Sequence, residues 1–245
     1  MTWRVPLSDV NLDSAEIDAV VAVMRSGWLT MGSITQAFEQ EFAAFTGSKH
    51  ALAVTNGTAA LHLACLALDL GPGDEVILPS LTFVASANAI RYTGATPVFA
   101  DIESTDWLCL SPEAVRAAIT PQTKAIMVVH YAGYPCDMPT ILEIARQHHL
   151  VVIEDAAHAV GAALEGKALG TWGDIGCFSF FGNKNLTTGE GGMLLTQDDQ
   201  LAEKLQRLRS HGMTTLTWDR ARGHASTYDV VDLGYNYRID DLRSA

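Results

Sequence analysis

Along the chain the apolar positions alternate between helical stripes and short continuous runs. Phe38, Phe42 and Phe45 recur at helical spacing, which predicts a helix over 36–45 with Gly47 as its stop. Ala51-Leu52-Ala53-Val54 is an unbroken apolar run and reads as a buried strand. Asn56-Gly57-Thr58 breaks it, and a helix follows over 59–68. The turn Gly71-Pro72-Gly73-Asp74 leads into a strand at 76–78, a helix at 84–92 and a strand at 97–100. Ser111-Pro112-Glu113 is a helix start, with a capping Ser and a Pro in the first turn. Then come a strand at 125–129, a helix at 140–149 and strands at 151–153, 177–181 and 193–195. A charged amphipathic helix over 199–209 ends at His211-Gly212. Residues 1–34 read as an irregular N-terminal arm, and 214–227 as a long polar loop.

Strands that are apolar throughout have both faces covered. The order therefore predicts an α/β fold, a mainly parallel sheet between two helix layers. In such folds ligands gather at the carboxyl ends of strands. Three polar groups fall there: Asn56-Gly57-Thr58, Asp155, and the segment from Ser179 to Lys184.

Bulk properties narrow the functions. The length of 245 residues suits one sizeable α/β domain, or one domain and part of a second. A formal net charge of −12 argues against a broad nucleic-acid face. A local anion site survives that argument, because helix amides bind phosphate without net positive charge. Cys65, Cys109, Cys136 and Cys177 form no CxxC pair, so no metal site is expected and a reducing cytoplasm is. The N-terminus lacks a signal-peptide apolar core, and no run reaches the ~20 residues of a membrane span.

The three polar groups have both plain and chemical readings. A strand–Gly–helix turn at Gly57 and Thr58 is either an ordinary cap or a phosphate cradle of free amides and a hydroxyl. Asp155 either caps a helix or pairs with a protonated heterocyclic nitrogen, as a pyridoxal ring requires. Lys184 follows an apolar strand and a glycine, where burial lowers an amine's basicity and frees a nucleophile. The glycines of Thr187-Thr188-Gly189-Glu190-Gly191-Gly192 would allow close backbone approach near it. Gly182-Asn183-Lys184 is no Walker A loop, Gly71-Pro72-Gly73 lacks a third glycine, and no GxSxG elbow is present.

The stretches Ala53-Val54-Thr55-Asn56-Gly57-Thr58-Ala59-Ala60-Leu61, Gly71-Pro72-Gly73-Asp74-Glu75-Val76 and Pro79-Ser80-Leu81-Thr82-Phe83-Val84-Ala85 carry a resemblance. So do Ser26-Gly27-Trp28, Ile153-Glu154-Asp155-Ala156-Ala157-His158, Phe178-Ser179-Phe180 through Lys184-Asn185, Gly191-Gly192 and Gly234-Tyr235-Asn236-Tyr237-Arg238. In order and content the chain resembles the DegT/DnrJ/EryC1/StrS family of pyridoxal-phosphate (PLP)-dependent sugar aminotransferases, of the type I PLP fold. The resemblance implies Lys184 as the residue that holds the cofactor and Asp155 as partner of its ring nitrogen. It implies Phe83 as the ring-stacking aromatic, against a plain reading of helix-start core packing. Gly57, Thr58 and Ser179 match phosphate-binding positions, and Asn236 an asparagine reaching the phosphate from the partner subunit of a homodimer. Where most members carry Gln, this chain has His158, also counted with the cofactor site. Together with Val129-His130-Tyr131-Ala132-Gly133, it leans toward members acting on UDP-4-keto sugars.

The implied reaction is ping-pong transamination: an amino donor, by family likeness glutamate, displaces Lys184, which then moves the proton as general acid and base. The acceptor is a keto sugar, nucleotide-linked. The resemblance also implies a division into a 1–34 arm, a 35–225 PLP-binding domain and a 226–245 connection to a smaller C-terminal domain that this sequence is expected to lack. Two alternatives stand beside it. Sugar dehydratases of the same scaffold replace the lysine with His, which Lys184 argues against. A non-catalytic PLP-fold regulator or binding protein is the other.

Overall fold

The computed structural model describes residues 8–215 and 227–245, so most of the polar 214–227 stretch lies outside the described residues. The expected helices form at α2 (Ser33–Thr46), α3 (Gly57–Ala67), α4 (Val84–Tyr92), α5 (Pro112–Ala118), α6 (Met138–His148) and α7 (Asp199–Leu208). Local chemistry starts them. The side chains of Asn56, Ser111, Asp137 and Asp198 each accept a first-turn amide, and prolines stand early in α5 and α6.

Seven strands build the main sheet: β1 (His50–Val54), β2 (Glu75–Pro79), β3 (Thr96–Ala100), β4 (Thr123–Val129), β5 (Val151–Asp155), β8 (Ile175–Ser179) and β9 (Gly192–Thr196). The order is β1-β9-β8-β5-β4-β2-β3. From β3 to β8 every pairing is parallel, while β9 runs antiparallel to both its neighbours. The carboxyl ends of β1, β2, β3, β4, β5 and β8 therefore share one edge, and the start of β9 joins them there. A two-stranded hairpin, β6 (Ala163–Leu164) with β7 (Lys167–Ala168), stands apart.

Alternate strand residues enter opposite helix layers, which gives the expected three-layer architecture. Val76, Leu78, Met127 and Ile153 pack under α3, α4 and α7. Ile77, Ile126, Val128 and Val152 pack against α5 and α6, and Ala53, Phe178 and Met193 against Phe42 of α2.

The expected irregular arm is corrected: it contains α1 (Ser14–Ser26). Asp13 and Glu16 form a reciprocal capping box and Gly27 closes the helix at φ 74°. Val23 is the one buried residue of α1, so its apolar stripe is faint. The strand expected to reach residue 181 ends at Ser179, leaving Phe180 buried and Phe181 exposed beyond it. A short last helix, α8 (Asp241–Ser244), does remote work. The Asp241 carboxylate accepts the amides of Gly32 and Thr35 at 2.8 and 3.0 Å and the Thr35 hydroxyl at 2.6 Å. It caps α2, whose own N-cap residue Gly32 has no side chain to do so. Among the described residues no helix is long and apolar enough to cross a membrane.

Candidate active site

At the carboxyl edge of the sheet, β1 turns into α3 through Asn56. Its side chain takes the Ala59 amide at 2.8 Å, and the amides of Gly57 and Thr58 have no partner among the described residues. Gly192 pairs with both Val54 and Ser179, so the end of β8 lies close to this turn. A Cβ on Gly57 would stand 2.8 Å from the Ser179 Cβ, and one on Gly192 2.6 Å from the Asn56 carbonyl carbon. Glycine is required at both positions, and the close approach of Gly192 is to the Asn56–Gly57 turn, not to Lys184. Free amides of a helix start, with hydroxyls of Thr58 and Ser179 nearby, have the donor chemistry a phosphate needs.

Asp155 ends β5 with 5% of its surface exposed. Its Oδ2 accepts the Ser86 hydroxyl at 2.7 Å, and its Oδ1 the Ala157 amide at 3.2 Å. Ser86, fully buried in the first turn of α4, also meets the Thr82 hydroxyl at 2.7 Å. A carboxylate has about four acceptor sites, so Asp155 keeps capacity for a further donor.

Lys184 is half-buried, and its backbone amide bonds the Phe181 carbonyl at 2.9 Å. Burial lowers its pKa below that of an exposed lysine, and the Asp155 charge partly opposes this. His158 is likewise lowered, by burial first and then by the Lys184 charge, with Asp155 opposing. The three groups thus sit within one electrostatic neighbourhood. His158 Nδ1 accepts the Ala132 amide at 3.2 Å, so the neutral ring carries its proton on Nε2. Ala132 reaches it through a left-handed conformation, φ 53°.

Phe83 lies just before α4 and is 73% exposed, which excludes the plain reading of core packing. Asn236 is also exposed. Its backbone bridges Ser210, and the next residue, Tyr237, accepts the Thr55 amide at 2.9 Å. Tyr235 and Tyr237 stack at 5.1 Å over the same region, and the Tyr237 hydroxyl lies 3.1 Å from His62 Nδ1. Burial lowers the His62 pKa, which favours a neutral ring beside the Tyr237 hydroxyl. The segment bearing Asn236 is therefore fixed beside the end of β1 in its own chain.

Sequence reasoning passed over Glu154. It is fully buried, and its carboxylate accepts four donors: His130 Nε2 at 2.8 Å and the amides of Gly170, Trp172 and Gly173 at 2.7, 2.6 and 2.7 Å. His130 Nδ1 takes the Cys136 amide at 3.2 Å, which fixes its proton on the nitrogen facing Glu154. The segment Gly170-Thr171-Trp172-Gly173, with a glycine at each end just before β8, was the available signal for this node.

The fold and the edge define an α/β enzyme scaffold with an anion cradle, a half-buried amine and a carboxylate with spare acceptor capacity. A sequence model described as the DegT/DnrJ/EryC1/StrS aminotransferase family matches residues 10–245, and the chain belongs to that family. GDP-perosamine synthase of Caulobacter vibrioides is 49% identical over 99% of this chain and 63% of its own. The spore coat polysaccharide biosynthesis protein SpsC of Bacillus subtilis is 48% identical over 98% of this chain and 62% of its own. A sugar aminotransferase candidate of Streptococcus pneumoniae, Spr1654, solved in its PLP-form, superposes with a TM-score of 0.90. It is 30% identical, over 99% of this chain and 64% of that one. The chain thus spans less than two thirds of the length of each of these relatives.

Proposed function

We propose that this chain carries the PLP site of an aminotransferase that moves an amino group from glutamate to a nucleotide-linked keto sugar. The observation that carries the reading is the shared neighbourhood of Lys184, Asp155 and His158 beside the Gly57–Ser179 cradle, at one sheet edge. The donor set fits the cofactor: free amides for a phosphate, a carboxylate with spare acceptor sites, and an amine made less basic by burial. When bound, PLP supplies an electron sink for the carbanion formed at the substrate carbon.

The amides of Gly57 and Thr58 and the hydroxyls of Thr58 and Ser179 bind the phosphate. Lys184 would hold the cofactor through Nζ and, as a free amine, would move the proton at the substrate carbon as a general acid and base. Its lowered basicity leaves more free amine for both tasks at neutral pH. Asp155 holds a proton at the ring nitrogen. His158 presents its Nε2–H as a neutral donor, and Phe83 offers its exposed face to the ring. Asn236 reaches the phosphate of a second subunit, which makes the working unit a homodimer, and the four cysteines with no CxxC pair suit a reducing cytoplasm. The domain reading is an arm over 1–34, a PLP-binding domain over 35–225 and a connection over 226–245.

Amino transfer tests the proposal. The holoenzyme with glutamate and a panel of keto-sugar nucleotides is expected to yield an aminated sugar by product mass, with 2-oxoglutarate released. PLP binding without amino transfer to any acceptor would instead favour a binding protein.

A further inference from the structure

Asp155 does not set its own orientation. We infer that Ser86, supported by Thr82, is the positioning residue that fixes the Asp155 carboxylate for its partner on the cofactor. The inference deepens the proposed function and rests on the reading of Asp155 as the ring-nitrogen partner.

Three observations carry it. Ser86 is fully buried and stands in the first turn of α4, where its hydroxyl donates to Asp155 Oδ2 at 2.7 Å. The Phe83 carbonyl, 3.2 Å from Ser86 Oγ, is a longer and uncharged alternative acceptor; with the single Ser86 proton on the carboxylate, the 2.7 Å contact to Thr82 is filled by the Thr82 hydroxyl donating to Ser86 Oγ. The order is Thr82 to Ser86 to Asp155, a chain of donors ending on a carboxylate. The other tie on Asp155, the Ala157 amide at 3.2 Å, is longer and lies on the opposite oxygen. Without Ser86 a single long bond would hold the carboxylate, and its χ2 rotation would be free within a buried site.

Placement gives the device its use. Thr82 and Ser86 flank Phe83, the exposed aromatic at the start of α4. The same two hydroxyls that orient Asp155 therefore tie the Phe83 turn to the end of β5, 69 residues further along the chain. They fix the distance between the group offered to the ring face and the group offered to the ring nitrogen. A charge-assisted bond of this kind corresponds to about a tenfold effect or more on binding or rate.

The test compares the holoenzyme with Ser86→Ala, Thr82→Val and Thr82→Ser, and sets Asp155→Asn beside them. Ser86→Ala is expected to weaken PLP affinity about tenfold and to slow the glutamate half-reaction about tenfold, with KM for glutamate little changed. Thr82→Val is expected to do the same more weakly, and Thr82→Ser, which keeps the hydroxyl, to recover most of the loss. Thr82 is only half-buried, so these variants keep the question open to experiment if Ser86→Ala folds poorly. Because Ser86 acts through Asp155, adding Ser86→Ala to Asp155→Asn should cost little more. Wild-type PLP affinity and half-reaction in both Ser86→Ala and Thr82→Val, with Asp155→Asn impaired, would overturn the inference alone. Additive losses in the double variant would also overturn it. If Asp155→Asn itself is harmless, the reading of Asp155 falls first.

Discussion

Glu154 and Asp155 are neighbours on one strand with the same chemical group and opposite circumstances. Glu154 faces the α5 and α6 layer with Val152, while Asp155 faces the α3 and α4 layer with Ile153. Four donors fill the Glu154 carboxylate, one of them an imidazole whose tautomer is set by a further amide. Two donors reach Asp155. A fully satisfied buried carboxylate is a structural knot that ties the turn after β4 and the loop before β8 to β5. A partly satisfied one keeps its charge available to another group. Burial alone therefore does not separate the two, and donor count does.

The comparison breaks first on activity. Asp155→Ala is expected to slow the glutamate half-reaction by about a hundred- to a thousandfold while changing unfolding free energy by only about 1 kcal/mol. Stopped-flow absorbance and urea unfolding on the same preparation read both. A variant that unfolds easily but reacts at the wild-type rate would reverse the roles of the two carboxylates.

Glu154→Ala is the mirror experiment. It strands three amides and an imidazole N–H in a dry interior, so it should cost about 3–5 kcal/mol of stability. Urea unfolding decides it, and a loss below about 1 kcal/mol would mean water replaces the carboxylate.

A smaller effect sharpens the electrostatic side. Asp155 raises the Lys184 pKa against the depression that burial causes. Removing that charge in Asp155→Asn should therefore move the Lys184 titration to lower pH. The rate at which the apo protein's Lys184 amine captures an aldehyde, followed against pH, reports the midpoint. An upward shift on Asp155→Asn would show that the carboxylate does not act on Lys184.

Much of this edge was legible in the sequence because its parts are local. Asn56-Gly57-Thr58, Asp155 and Ser179 each stand where an apolar run stops, and strand ends are what hydrophobic pattern locates best. The knot and the relay were not legible. Ser86 meets Asp155 across 69 positions, and Glu154 draws donors from residues 16–19 positions away and from His130 on another strand's end. Side-chain bonds of that kind leave no period in the sequence. The same holds for Asp241, which caps α2 from 206 positions away. Helix α1 was missed for a different reason: its Asp13–Glu16 box was there to read, but so little of the helix is buried that the apolar stripe did not support it.

The central claim is that Lys184 is the amine that holds the cofactor beside Asp155. Borohydride reduction of the PLP-loaded protein, followed by peptide mapping, tests it most directly. The account predicts a pyridoxyl label on Lys184 and its loss in Lys184→Ala, together with all transamination. A label on a different lysine, or an unchanged label in Lys184→Ala, would contradict it.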